Sequence, residues 1–508
     1  MTSSLPPQRH QFANDHPPRH DGDYIVYWMI AQRRLHWNFA LQHAVDRALE
    51  YEKPLLIFEP LRVRYQWASD RIHRFIIEGM RDNAAEAESL PVVYYPYVEP
   101  QPGKGSPLLH RLAEHACTVV TDEYPCFFLP HMIDAVKDKL PARLELIDSN
   151  GVLPLRAAEK TYTVAHSYRR FMQKNILPAL EHLPLENPLE QQSDRPALPC
   201  PDGKSMAKRR EALIDKKILS KWPAADLDQL LDKDGLSKIP IDHSVPPAEK
   251  TPGGRVEACR RWNEFLDFKL SKYNDDRNHP DEHATTGLSP HLHFGHISVH
   301  EMVASLLENE GWTADQTSKP NGKNHDFWNV GENTEALLDQ LLTWREIGFN
   351  WSFQNPDTYD SLESLPDWAQ KTLSETRDDE RPHVYTLEEF ETANTHDELW
   401  NAAQTELVQT GEMHNYMRML WGKKIFHWTK TPEEALEIMI HLNNKYGLDG
   451  RDPNSYCGIL WVLGRTDRAW GPKRPVFGSV RYMTSDSTRK KLKLSRYLKR
   501  FSQTTKSK

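Results

Sequence analysis

The chain has 508 residues, of which 38% are hydrophobic and 27% charged, with a formal net charge of −8. That composition is ordinary for a soluble globular protein of about two to four domains. No run approaches the roughly 18 apolar residues of a membrane helix, which argues against an integral membrane protein.

Residues 1–22 are polar, rich in Pro, His and Arg, and lack an apolar core, so they read as a disordered tail rather than a secretory signal. Apolar β-type runs then appear at Tyr24–Met29, Pro54–Phe58, Val92–Tyr95, Thr118–Thr121 and Leu144–Ile147. Helix-like stretches separate them at His36–Ala48, Asp70–Ala87, Pro107–Ala116 and Pro130–Lys139. Strand and helix alternating at this spacing predict βαβ units, hence a doubly wound α/β parallel-sheet domain over 23–155. No GxGxxG follows the first strand, so the usual dinucleotide fingerprint is missing. Residues 156–250 read as an interdomain linker with short helices, Pro-, Asp- and Lys-rich toward its end. From 251 to 508 the periodicity is helical, and this all-α half holds eleven of the fifteen tryptophans. Five cysteines (Cys117, Cys126, Cys200, Cys259, Cys457) are scattered without a CxxC pair. They fit free thiols in a reducing cytoplasm and suggest no metal site. From Lys473 to Lys508, twelve Lys or Arg face one acid, Asp486. Such a segment attracts phosphate backbones or merely stays solvated.

Four stretches carry candidate chemistry. In Met413–Trp428, His414, Arg418, Trp421, Ile425 and Trp428 share one helical face. Trp421 and Trp428 lie two turns, about 10 Å, apart, within reach of electron hopping or simply packed in a core. The segment TTGLSP (Thr285–Pro290) sets hydroxyls and a glycine before a helix, as a phosphate cradle or as ordinary capping. Tyr273 and Arg277 lie four apart just upstream. Glu346, in WREIGFNW, sits among aromatic residues, where a carboxyl has a raised pKa or a salt bridge to Arg345. The stretch His441–Trp461 concentrates amides and carboxylates suited to the polar edge of a heterocycle, or to a well-capped loop.

Taken in order, the motifs YWM at Tyr27, AQR near Gln32, GLSPHLHFGHIS, WREIGFNW, LWNAAQ at Leu399, GEMHNYMRMLWGKKIFHW, LNNKYGLDGRDPN and VFGSVRYM at Val476 resemble class II cyclobutane pyrimidine dimer photolyases over about residues 23–500. The resemblance implies a C-terminal helical domain that binds FAD and splits pyrimidine dimers in damaged DNA by photoinduced electron transfer. It implies FAD contacts by Tyr273, Arg277, Thr285, Thr286, Gly287, Leu288, Ser289, Arg418, Asn443, Asp449 and Arg451. Trp400, Trp421 and Trp428 match the tryptophan chain, and Glu346, Met419, Trp461, Arg468 and Trp470 match positions lining the dimer pocket. Thr466 stands where a histidine is usual and Leu420 where a tyrosine is usual. A second, antenna chromophore of deazaflavin or folate type stays open, and a monomer is expected. The alternatives are a cryptochrome-like photoreceptor on the same scaffold and an unrelated nucleotide-binding α/β enzyme.

Overall fold

All five apolar runs form strands. They are β2 (Tyr24–Trp28), β3 (Leu55–Leu61), β4 (Val93–Val98), β5 (Ala116–Asp122) and β6 (Arg143–Ile147), paired in parallel. Every residue of β2, β4 and β5 is buried, as expected for strands covered by helices on both faces. The computed structural model describes residues 5–191 and 195–502. Residues 1–4 of the expected tail, 192–194 of the linker and 503–508 of the basic segment lie outside the described residues.

The sheet order β1-β6-β5-β2-β3-β4 includes one strand that the sequence reading assigned to a disordered tail. His10–Phe12 forms β1, antiparallel to β6. Just before it, the buried Arg9 guanidinium donates to the carbonyls of Asp148, Gly151 and Val152 at 2.7–3.1 Å. The tail reading fails because three edge residues and one buried arginine are enough to anchor the segment, and neither carries a hydrophobic period.

The chain order reverses direction beside β2, with β3 and β4 on one side and β5 and β6 on the other. At the carboxyl end of β5, Asp122 accepts the N–H groups of Ile30, Ala31 and Gln32 at 2.8–3.0 Å and the Tyr27 hydroxyl at 2.7 Å. One carboxylate thus shapes the turn that follows β2. Beside that turn, at the ends of β2, β3 and β4, lies a cavity of about 190 Å³ walled by Trp28, Tyr65, Phe127 and Phe128 from this half and by His293 and Arg451 from the helical half. This is where doubly wound sheets bind ligands.

Residues 156–250 carry short helices that pack onto both halves. Helix Ala165–Leu180 sends Tyr168, Met172 and Ile176 into the core of the helical half. The short helices Met206–Leu213 and Lys216–Lys221 return Met206 and Ile218 to the sheet's core, followed by Trp222.

Helices Glu398–Thr410, Asn415–His427, Pro432–Tyr446 and Pro453–Trp461 surround one aromatic core. Three of the four start on side-chain caps: Asp397 caps Leu399 and Trp400 N–H, Thr431 caps Glu434 ahead of Pro432, and Asp452 caps Asn454. The basic segment, up to residue 502, is folded rather than a tail. Its helices Ser485–Lys491 and Ser495–Phe501 pack through Leu492, Leu494, Tyr497 and Phe501. Asp281 accepts the N–H groups of Arg496 and Tyr497 at 3.0 and 2.7 Å. Lys493 pairs with Glu282 at 3.0 Å, and Arg489 with Glu398 at 3.0 Å.

Candidate functional site

Three of the residues matched to the polar edge of a flavin converge. Arg418, on helix Asn415–His427, donates Nη1 to Asn443 Oδ1 at 3.0 Å and Nη2 to both oxygens of Asp449 at 2.9 and 3.1 Å. Asn443 in turn donates Nδ2 to Ser455 Oγ at 2.7 Å. Arg418 and Asp449 keep about a fifth of their side-chain surface open, so the cluster faces space rather than core. Arg451 is placed differently. It is buried, and its guanidinium donates to the carbonyls of Asn444, Gly447 and Leu448, closing the end of helix Pro432–Tyr446. Three of its N–H donors are given to these backbone carbonyls, and the residue also lines the cavity at the sheet's edge.

The segment Thr285–Ser289 forms a tight turn ahead of a short helix. Gly287 takes φ +64°, a conformation glycine adopts freely, and its carbonyl accepts Arg261 Nη1 at 3.1 Å. Thr286 Oγ1 accepts Leu288 N–H at 3.3 Å, while Thr285 is half-buried and Ser289 exposed at the start of the short helix Ser289–His293. Tyr273 is buried with the Arg277 guanidinium 5.6 Å from its ring centre. Arg277 Nε and His414 Nδ1 are buried with no hydrogen-bond partner among the described residues. Burial also lowers the His414 pKa to about 4, leaving a neutral ring.

Trp400, Trp421 and Trp428 are almost completely buried. The helix carrying Trp421 and Trp428 does not stack them directly. Trp400 arrives from helix Glu398–Thr410, donating its indole N–H to the Trp421 carbonyl at 3.0 Å, with its ring centre 6.1 Å from that of Trp428. Trp421 donates its own N–H to Gln404 Oε1 at 2.8 Å. Beyond Trp428 stand His396 at 4.9 Å and Tyr385 at 5.6 Å between ring centres.

Near the surface, Trp461 and Trp470 are half-buried, and one cation joins them: Arg481 lies 5.7 Å from the first ring centre and 5.1 Å from the second. Arg468 lies 4.7 Å from the Trp470 ring. Lys423 Nζ sits 4.8 Å from the Trp461 ring and donates to Val462 O at 2.6 Å; burial lowers its pKa to about 7. Met419 packs, partly buried, against the same core as Trp461. Flat aromatic faces interleaved with cations are what stacked bases and phosphates require.

A deoxyribodipyrimidine photo-lyase of Methanothermobacter thermautotrophicus is 31% identical over 488 residues, covering 96% of each chain. The chain belongs to the deoxyribodipyrimidine photo-lyase family. A photo-lyase of Arabidopsis thaliana is 33% identical over 93% of this chain and 88% of its own. Among solved structures, a bacterial class III photolyase from Agrobacterium tumefaciens superposes with a TM-score of 0.63 over 96% of this chain and 87% of its own, at 17% identity, a likeness of fold. No protein-family model matches the chain.

Within this photo-lyase chain Glu346 is not in the aromatic patch. It is buried, Oε1 accepting Val152 N–H at 2.7 Å and Oε2 accepting Leu153 N–H at 3.4 Å. Both oxygens accept backbone N–H groups at the seam between the two halves. Sequence reasoning missed Arg261, Gln404, Lys423, Ser455 and Arg481, whose partners lie on other elements.

Proposed function

We propose that the protein is a class II type photo-lyase that binds DNA containing cyclobutane pyrimidine dimers and splits them under light, using FAD. The observation that carries this reading is the arrangement of Arg418, Asn443 and Asp449 beside the buried Trp421–Trp400–Trp428 set, in a chain that matches photo-lyases end to end. The chemistry that FAD supplies when bound is light-driven transfer of one electron to the dimer and its return. Arg418, Asn443 and Asp449 would hold the isoalloxazine edge; Tyr273, Arg277 and residues Thr285–Ser289 would hold the phosphates. The unpaired Arg277 Nε and His414 Nδ1 fit such a polar ligand.

The tryptophans serve activation. Trp421 and Trp400 donate their indole N–H groups to an amide oxygen and a carbonyl oxygen, neither basic enough to take the proton of an oxidised indole. A positive charge left on Trp421 by electron donation to the bound cofactor would therefore not be trapped by deprotonation and would pass through Trp400 to Trp428, whose ring centre lies 6.1 Å from that of Trp400. Trp461 and Trp470 offer stacking faces, and Arg468 and Arg481 offer charge to the flanking backbone. Extruding a dimer costs less than extruding an intact pair, because the lesion is already poorly stacked.

The aromatic cavity at the sheet's carboxyl edge supports a second chromophore of deazaflavin or folate type. Among the described residues no helix is long and apolar enough to cross a membrane, and the five cysteines are free, which supports a cytoplasmic setting. A monomer is the expected state in solution. The test is binding: purified protein should carry near one FAD per chain and prefer an oligonucleotide with one thymine dimer over its intact twin. A colourless protein with equal affinity for both would overturn the reading.

A further inference from the structure

At the edge of the sheet where β1 pairs with β6, three metal-ligating side chains meet that neither the flavin site nor the DNA surface uses. His10 comes from β1, His43 from helix Phe39–Tyr51 and Glu145 from β6. Their ligand atoms all lie within 4.8 Å of one another. His43 Nε2 and His10 Nε2 stand 2.7 and 2.9 Å from the same oxygen, Glu145 Oε2. The other oxygen, Oε1, accepts the Thr118 hydroxyl at 3.2 Å, which fixes the carboxylate's orientation. The Glu145 carboxylate is thus the shared partner of both rings. Its side chain is 1% exposed, against 10% for His43 and 20% for His10, leaving one open side toward solvent.

We infer that His10, His43 and Glu145 form a binding site for one divalent transition-metal ion of the zinc class, which clamps the N-terminal strand to the sheet. Two imidazole nitrogens and one carboxylate oxygen are a donor set such ions favour, with water completing the shell at the open side. Ligand bonds of about 2.0–2.2 Å imply donor separations of about 3.3 Å in a tetrahedral site. The two rings must therefore retract from Glu145 Oε2 by about half an ångström. His10 is free to do so, being on a three-residue edge strand. Binding uses neutral imidazoles with Nδ1 protonated, and any Nε2 proton leaves for solvent as the ion enters. Arg47 is the competitor: its Nη2 lies 3.2 Å from Glu145 Oε2, while its Nη1 already reaches the exposed Glu50 at 2.5 Å. The ion displaces Arg47 toward Glu50.

The test is calorimetric titration of Zn²⁺ into the tag-free, chelator-treated full chain, paired with limited proteolysis of the N-terminal segment. The wild type should bind one Zn²⁺, and cleavage before β2 should slow when it is bound. His10→Gln, at the partly exposed ligand, should weaken binding at least ten-fold while leaving flavin content and unfolding midpoint unchanged. Arg47→Gln should tighten it. Absence of stoichiometric binding in the wild type, or an identical titration in His10→Gln and His43→Gln, would overturn the site.

Discussion

Replacing Glu346 with glutamine separates a carboxyl that serves the reaction from one that serves the domain seam. Desolvation by burial pushes its pKa from 4.5 up to about 7, against the pull of Arg345 and the two N–H groups that it accepts. Folding thus favours the protonated form. Between about pH 4.5 and 7 the native state keeps a proton that the unfolded chain has lost, so stability falls as pH rises through that window. The displacement corresponds to about 3 kcal/mol in all. Glutamine keeps an acceptor for the 2.7 Å bond from Val152 and carries no charge. Glu346→Gln should therefore flatten this pH dependence and leave the unfolding midpoint at pH 8 equal to or above that of wild type. Glu346→Ala leaves both N–H groups unpaired; at about 1–3 kcal/mol for a fully lost bond, with the 3.4 Å partner the weaker, a loss of about 2–4 kcal/mol follows. Thermal unfolding from pH 5 to 8, with dimer-repair yield measured on the same preparations, reads both. If Glu346→Gln unfolds like wild type at every pH yet loses repair, the seam assignment is wrong and the carboxyl belongs to the substrate pocket.

Arg418→Ala removes the charge that joins Asn443 to Asp449, and FAD per chain after purification should fall at least several-fold by absorbance; full occupancy would remove Arg418 from the cofactor. Trp400→Phe should abolish photoreduction of oxidised enzyme, followed by absorption during illumination, while repair by chemically reduced enzyme survives; unchanged photoreduction would reduce the tryptophans to packing. Trp461→Ala should weaken dimer-DNA binding by about 1–3 kcal/mol, the worth of one stacked base, and Arg481→Ala should lower the salt slope by about one. Binding isotherms at several salt concentrations test both, and an unaltered Trp461→Ala isotherm would move the pocket elsewhere.

The strands β2 to β6 were legible because both-face burial writes a continuous apolar run into five to seven residues. The aromatic stripe on Met413–Trp428 was legible for a similar reason, since helical spacing puts Trp421 and Trp428 on one face. The step between them was not, because Trp400 enters from another helix and only the fold shows its 6.1 Å approach to Trp428. Arg418, Asn443 and Asp449 were recognisable by motif, yet their mutual bonds depend on a turn closed by Arg451, whose own role could not be told from a ligand's by sequence. β1 was illegible for the opposite reason: its anchor is Arg9, which reads as tail composition until the carbonyls of residues 148–152 are seen around it. The basic C-terminal stretch reads as solvated charge, while its buried Tyr497 and Phe501 hold it to the core.

Light-driven dimer splitting is tested by illuminating the fully reduced protein with an oligonucleotide that carries a single thymine dimer, followed by chromatography of the products. Intact thymines should be restored under blue or near-ultraviolet light, over many turnovers, and not in the dark. Bound dimer DNA that stays unrepaired under light, with the flavin verified as reduced, would contradict it and point to a photoreceptor on the same scaffold.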